Sequence, residues 1–407
     1  MSAAFHRPVL LDVTRLVSRT GAGPLTGIDR VERALLAGLL AREIELHGLC
    51  RTASGFSLLP RDGLAALLRR IEGTERWGEA DVIGRISLRL TPERRAAESD
   101  IRRLASGHAR GSGLGALLSR HVPPGTLYLN AGHTNLKAPV FDAVRAVKSA
   151  RAAVMIHDVI PLRMPWTQRA GAAARFAEKI GVVARHADLV MCPSAAEAEQ
   201  VAAALRNAGR EPSIAVAPPG IDLVRPDPMM ALPEEPYLVA VGTIEPRKNV
   251  SLLLDVWEHL AATRDASAVP GLVLIGRRGW EDARVLRRLD DVKARLPQVR
   301  EHADLQDSAR ASLVAGARAL LFPSVAEGYG LPPLEALSLG VVPVCAPLPV
   351  YRETMGEAAV YARSGDLYHW AEVVGGLVSS TRTPAAARDW RPPSWDDFVN
   401  RVLATCA

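Results

Sequence analysis

At 407 residues, with 48% apolar and 23% charged side chains, the chain is too long for one ordinary core and too apolar to be disordered; it suits two domains. Its formal charge of +6 is modest, its four cysteines are widely spaced without a metal-ligand pattern, and no run approaches the roughly 18–20 apolar residues of a membrane span. His6, Arg7 and Asp12 interrupt the N-terminal apolar stretch, which makes a poor signal peptide, so a reduced cytoplasmic protein is expected.

The first predicted strand is Val9 to Val13. A glycine-rich turn from Gly21 to Gly27 leads to an amphipathic helix over Asp29 to Arg42, with Val31, Leu35, Leu36 and Leu39 near helical spacing. From about 60 to 120 no clear strand is visible, and the stretch reads as a helical excursion. Its arginines, including Arg69-Arg70, Arg94-Arg95 and Arg102-Arg103, are interspersed with carboxylates as on a solvated helical face. The functional alternative is a surface for anionic lipid head groups or a pyrophosphate-linked acceptor. Scarce aromatics there argue against a nucleic-acid platform.

Later strands are expected at Thr126 to Leu129, Ala153 to Ile156, Leu189 to Cys192 and Ile214 to Val216. Helices are expected over Pro139 to Ser149, Gln168 to His186 and Ser194 to Asn207, the last with Ser194 and Glu197 as a capping box. Six prolines between Pro218 and Pro236 mark a boundary. The alternation then restarts: strands at Tyr237 to Val241, Leu272 to Ile275, Ala319 to Phe322 and Val341 to Cys345, and helices over Val250 to Leu260, Glu281 to Arg295, Ser308 to Ala317 and Pro333 to Leu339. A last helix runs from Ser394 to Leu403. Such alternation predicts mostly parallel, doubly wound α/β sheets, with ligands at the carboxyl ends of the strands.

Three post-strand segments carry chemistry. Pro323-Ser-Val-Ala-Glu-Gly-Tyr-Gly-Leu-Pro-Pro-Leu-Glu335 places carboxylates at Glu327 and Glu335 on either side of a turn. Gly328 and Gly330 permit close backbone approach, and the helix start favours phosphate. Glu335 inside the first helical turn would stabilise that helix without any ligand, which is the bland alternative. Gly242-Thr243-Ile-Glu-Pro-Arg247-Lys248-Asn sets two cations at a strand's end, in a chain with only five lysines, where they could neutralise a departing diphosphate. His157-Asp158 follows the Ala153 to Ile156 strand, and alone it reads as a structurally satisfied pair.

Together these segments resemble retaining glycosyltransferases of family 4, which have the GT-B fold, and particularly the mannosyltransferase-like branch. The resemblance covers most of 9–32 and 126–405 and is strongest from Gly242 to Glu353. It implies two Rossmann-like domains facing across a cleft: 1–225 on the acceptor side, 226–385 for the nucleotide-sugar donor, and a helix at 386–407 packing back on the first domain. It implies transfer of a hexose, best mannose from GDP-mannose, to a hydroxyl of a glycan or lipid-linked saccharide with retention and without a metal. No cofactor is expected beyond the nucleotide diphosphate sugar as co-substrate, and no nucleic-acid partner.

By the same resemblance Arg247 and Lys248 stabilise the leaving diphosphate, and Glu327 and His157 position the sugar. Donor contacts fall to Gly27, Gly242, Thr243, Gly276, Gly328, Tyr329, Gly330, Leu331 and Glu335, the last on the ribose. Asp158 is expected to orient the His157 imidazole or approach the acceptor, and Asn130 and His133, in the loop after the Thr126 to Leu129 strand, are expected to line the acceptor side. The broader family places arginine directly after the Gly242 position, where this chain has Thr243, and the segment after Val299 lacks the usual glycine before the base-binding loop. A peripheral position at the inner membrane face accompanies the cytoplasmic expectation. The rival readings are a nucleotide-sugar epimerase or phosphorylase on the same fold, and a catalytically silent subunit that binds sugar nucleotide or acts as a scaffold.

Overall fold

The computed structural model describes residues 5–379, 387 and 389–407; the expected boundary at 385–386 lies outside the described residues. The strands are β1 (Val9–Asp12), β2 (Leu46–Thr52), β3 (Gly55–Leu59), β4 (Gly107–Ala109), β5 (Leu127–Asn130), β6 (Arg151–Met155), β7 (Leu189–Cys192) and β8 (Ser213–Val216) in one sheet. A second sheet holds β9 (Tyr237–Val241), β10 (Gly271–Ile275), β11 (Val299–His302), β12 (Leu320–Phe322), β13 (Pro343–Cys345) and β14 (Val360–Tyr361).

The second sheet is parallel throughout, in the order β11-β10-β9-β12-β13-β14. Chain order therefore reverses between β9 and β12, the switch point where doubly wound sheets bind ligands. The first sheet runs β4-β3-β2-β1-β5-β6-β7-β8, with β3 and β4 antiparallel and a switch point between β1 and β5. Most of these strands are buried on both faces, as parallel strands covered by helices must be.

Five strands escape the sequence reading. β2 carries His47, Gly48 and Arg51, which break its apolar pattern. β3 pairs with it through a tight turn, Thr52 opposite Gly55, and β4 adds within the stretch expected to be helical. β11 (Val-Arg-Glu-His) and the two-residue β14 lie at the sheet's edges, where one-sided pairing suffices. The excursion is otherwise helical, with helices at Arg61–Ile71, Val82–Ile86 and Pro92–Leu104.

The helix Trp395–Cys406 begins at Ser394, whose hydroxyl accepts from the Asp397 amide at 3.0 Å. Its apolar side (Phe398, Val399, Val402 and Leu403) enters the core of the first sheet beside Leu35 and Leu39 of helix Gly27–Leu40. Gly38 is what admits it: a Cβ there would stand 2.6 Å from a Val399 methyl. Among the described residues no helix is long and apolar enough to cross a membrane.

Candidate active site

β9 and β12 are neighbours, so the loops after them meet. After β9 the chain makes a short 3-10 turn, Pro246–Lys248, which Asn249 ends in the left-handed conformation before helix Val250–Thr263. After β12 comes the turn with Glu327. The Val325 amide donates to the Arg247 carbonyl at 2.9 Å, tying the loops together. Lys248 Nζ then lies 2.5 Å from Glu327 Oε1, and Arg247 Nη1 donates to the same oxygen. Arg247 Nε reaches Glu245 Oε1 at 2.5 Å.

This is a nearly buried triad of two cations on one carboxylate. Burial works against the Glu327 charge, but Arg247 and Lys248 outweigh it and hold the carboxyl below the usual range, so it is ionised at neutral pH. Burial lowers Lys248, and Glu327 works the other way. Lys248 Nζ also sits 4.1 Å from the centre of the Phe322 ring, which strengthens its hold. Glu245 is raised by burial, with Arg247 opposing. Arg247 and Lys248 are balanced by Glu327 and Glu245, so an anion entering this dry site meets cations that must release part of their hold on those carboxylates.

Helix Leu331–Ser338 starts two residues earlier than the sequence suggests, because Leu331 and both prolines fit its opening turn once Gly330 turns left-handed at φ 88°. Glu335 therefore sits one full turn in rather than in the first turn, which removes the bland helix-stabilising alternative. Its partner is unexpected: Arg30 Nη1, from helix Gly27–Leu40 of the first sheet's half, donates to Glu335 Oε1. Arg30 Nε also holds Asp222 Oδ2 at 2.7 Å, and Asp222 takes Arg33 at 2.6 Å and Trp395 Nε1 at 2.8 Å. Arg310 stands 3.8 Å from the second Glu335 oxygen. No local signal links Arg30 to a residue 305 positions away.

The facing wall comes from the first sheet. His157 and Asp158 follow β6. His157 Nε2 bonds the Ala131 carbonyl at 2.7 Å, and burial pushes its pKa down to about 4, so the ring is neutral at pH 7. Gly328 lies against this wall: a Cβ there would come within 2.3 Å of the His157 carbonyl oxygen. Only glycine permits so close an approach. Gly27 also faces Leu331, at the ordinary contact distance of 3.4 Å from a would-be Cβ. Arg247, Lys248, Glu327, His157, Asp158, Gly27, Gly328 and Leu331 are thus brought to one cleft.

Other expected residues serve the frame. A Cβ on Gly276 would lie 2.0 Å from the Gly242 carbonyl, so Gly276 lets the ends of β9 and β10 touch, while a Cβ on Gly242 would stand 3.1 Å from the Lys248 side chain. The Thr243 methyl packs against Gly279. The Tyr329 hydroxyl donates to the Pro219 carbonyl at 3.0 Å in the proline-rich connection. Trp280, which is not among the expected residues, donates to the Thr167 carbonyl at 2.8 Å and stacks under Arg169, a contact between the two halves. Asn130 is wholly buried, donating to Tyr128 and to the Thr134 carbonyl, and His133 bonds the Met155 carbonyl at 2.9 Å. Both shape the loop after β5, around a buried Asp12 that accepts from Tyr128 and Asn135 at 2.8 Å each.

The Ser194–Glu197 capping box forms by half. Ser194 accepts from the Glu197 amide at 3.1 Å, but the Glu197 carboxyl turns toward the cleft. There burial, then neighbouring Asp158, raise its pKa to about 8, and its Oε2 is buried without a partner among the described residues. The amides of Ala195 and Ala196 are capped instead by Glu353 from helix Pro349–Met355, at 2.7 and 3.0 Å. Only the fold brings Glu197 to the cleft.

Residues 235–380 match the family described as glycosyl transferases group 1. The serotype-specific mannosyltransferase WbdA of Escherichia coli is 29% identical over 255 residues, covering 56% of this chain and 30% of that protein. The O-antigen chain mannosyltransferase B of Escherichia coli is 38% identical over 131 residues, 32% of this chain and 34% of that one. The chain spans about a third of the length of these curated relatives. Among solved structures, Anabaena HepE in complex with UDP-glucose superposes over 98% of this chain and 95% of its own, with TM-score 0.60 at 14% identity. Sucrose-phosphate synthase from Thermosynechococcus elongatus covers 98% and 94%, with TM-score 0.61 at 15% identity. These likenesses establish the two-domain GT-B fold.

Proposed function

We propose, from the premise that residues 235–380 are a glycosyl transferases group 1 domain on a GT-B fold, that the chain is a glycosyltransferase. It moves a hexose, best mannose from GDP-mannose, to a hydroxyl of a glycan or lipid-linked saccharide. The observation that carries this reading is the Arg247–Glu327–Lys248 triad at the β9/β12 switch point, opposite His157. Mannose is supported by the names of the relatives aligned with this chain.

In this reading the diphosphate enters between Lys248 and Arg247, which exchange part of their hold on Glu327 for phosphate oxygens. As the sugar–phosphate bond breaks, the growing negative charge meets both cations, the task a divalent ion performs elsewhere. Glu327 stays ionised and accepts from sugar hydroxyls. His157, neutral and tied through Nε2, holds the opposite wall in place. Glu335 awaits the ribose once Arg30 yields one of its oxygens. The leaving phosphate oxygen assists acceptor deprotonation on the same face, which gives retention, so no dedicated general base is assigned.

Calorimetric titration with GDP-mannose, UDP-glucose, UDP-N-acetylglucosamine and dTDP-rhamnose, with and without EDTA, tests the donor. Selective GDP-mannose binding that survives EDTA supports the reading; selective binding of another sugar nucleotide corrects the donor, and binding lost with EDTA overturns metal independence. Magnetic resonance of the product anomer decides retention.

A further inference from the structure

Of the large aliphatic side chains left exposed, four fall within seven residues: Val82 (75%), Ile83 (40%), Ile86 (72%) and Leu88 (78%). Isolated exposed aliphatics are ordinary, whereas a cluster marks an interaction site. Arg85, 69% exposed, and Arg89 stand among them.

The segment is pinned from its inner side by a set of polar contacts. Asp81 caps the short helix Val82–Ile86 and takes Arg102 through Nε and Nη2 at 2.7 and 2.6 Å. Arg95 donates to the carbonyls of Leu90 and Leu88 at 2.9 and 3.2 Å. Ser99 Oγ accepts from the Asp81 amide at 3.0 Å, in space that the bare Gly84 leaves free. Hydrogen bonds thus hold the tip against helix Pro92–Leu104 while its aliphatics face water, the reverse of an ordinary surface helix.

We infer that residues 82–89 form a docking tip for an anionic bilayer surface. Three observations favour a bilayer over a protein. The exposed apolar groups are all aliphatic, and no Phe, Tyr or Trp occurs from 78 to 127, whereas protein interfaces favour aromatics. The charge of the stretch that carries the tip is complementary to anionic head groups: twelve arginines against eight carboxylates lie between Arg61 and Arg120, and Arg85 and Arg89 stand at the tip itself, although exposed Glu79 stands 3.6 Å from Arg85. The tip also leads directly into helix Pro92–Leu104, whose Arg94 joins Arg51, Thr52, Thr14 and Thr134 around a cavity of about 430 Å³ outside the ends of β1, β2 and β5. Docking there sets that basic cavity at the head-group level, where it meets a lipid-linked acceptor. This last step rests on the proposed transferase reading; the docking itself does not.

The test is co-sedimentation of the full chain with vesicles of phosphatidylcholine, alone or with roughly a third phosphatidylglycerol. Binding is expected to the mixed vesicles and to weaken with salt. The triple variant Val82→Ser, Ile86→Ser, Leu88→Ser lowers partitioning at least about tenfold. Arg85→Gln with Arg89→Gln lowers it about fivefold per arginine and flattens the salt dependence. Circular dichroism and sugar-nucleotide titration of the same variants report folding separately. Absence of wild-type binding to the mixed vesicles, or equal binding by the folded triple variant, overturns docking even where sugar nucleotide binds normally. Concentration-dependent self-association that the triple variant abolishes, without vesicle binding, assigns the patch to a second copy and also overturns it. Vesicle binding without sugar-nucleotide binding leaves docking intact and rejects the transferase reading.

Discussion

Lys248→Ala removes one of two cations from a site where its Nζ lies 2.5 Å from Glu327 Oε1 and 4.1 Å from the Phe322 ring centre. Two unit charges about 4 Å apart interact by about 4 kcal/mol at an effective dielectric near 20. Glu327 absorbs part of that field in the free enzyme, so about 3 kcal/mol remains for charge that grows on the leaving diphosphate. That corresponds to a loss of roughly 10²–10³ in kcat, the range seen when one preorganised donor is removed. Folding changes less, because Arg247 still pairs with Glu327 and only one ion pair of the triad is lost. The assay is initial-rate transfer from GDP-mannose, together with its slow hydrolysis, for wild type, Lys248→Ala and Lys248→Arg, with donor affinity measured by calorimetry. The arginine variant is expected to recover part of the rate. A kcat for Lys248→Ala within about threefold of wild type refutes the charge argument.

Three further predictions follow from the cleft. Arg30→Ala and Glu335→Ala, tested singly and together by urea unfolding, are expected to show a coupling of about 1–3 kcal/mol, since the pair is mostly buried; additive effects would mean the ion pair contributes nothing. Gly328→Ala drives a methyl to within 2.3 Å of the His157 carbonyl oxygen and is expected to weaken donor binding roughly tenfold, an overpacking cost of 1–3 kcal/mol; unchanged affinity would show that the walls do not meet this closely. Glu197 gives a pH signature. Its pKa is about 8 when folded against 4.5 ordinarily, so between those values only the folded state holds the proton. Stability therefore falls as pH climbs through that window, by up to about 1.4 kcal/mol per unit, and levels off above it. His157 contributes the opposite slope below its ordinary value of 6.5, equally in both proteins. The wild-type minus Glu197→Gln difference from urea unfolding at pH 5 to 9 isolates the effect, and parallel curves would reject the buried neutral carboxyl.

Much of this was legible in the chain because it is local. Strand β9, the helix Val250–Thr263 and the Gly328–Gly330 turn follow from periodicity and turn chemistry within a dozen residues. Arg247, Lys248 and Glu327 were each legible as site residues because their segments both follow strands, but their ion pairing was not, and the β9/β12 adjacency brings it about. Strands β2, β3 and β11 were not legible. Their polar and glycine residues carry no clear period, and sheet neighbours rather than intrinsic preference hold them in place.

The division is one of range. By itself the sequence determines where the chain turns, where cations and carboxylates follow strands, and that two doubly wound halves form. Which of those charges meet is decided by the tertiary structure. Arg30 reaches Glu335 and Glu353 caps the helix after Ser194 only because the two halves lie face to face, while Glu197 meets Asp158 through the packing of the first half. An ion pair between distant residues needs a low-dielectric gap of the right width, and that gap is a property of two packed surfaces, which no stretch of the chain encodes alone.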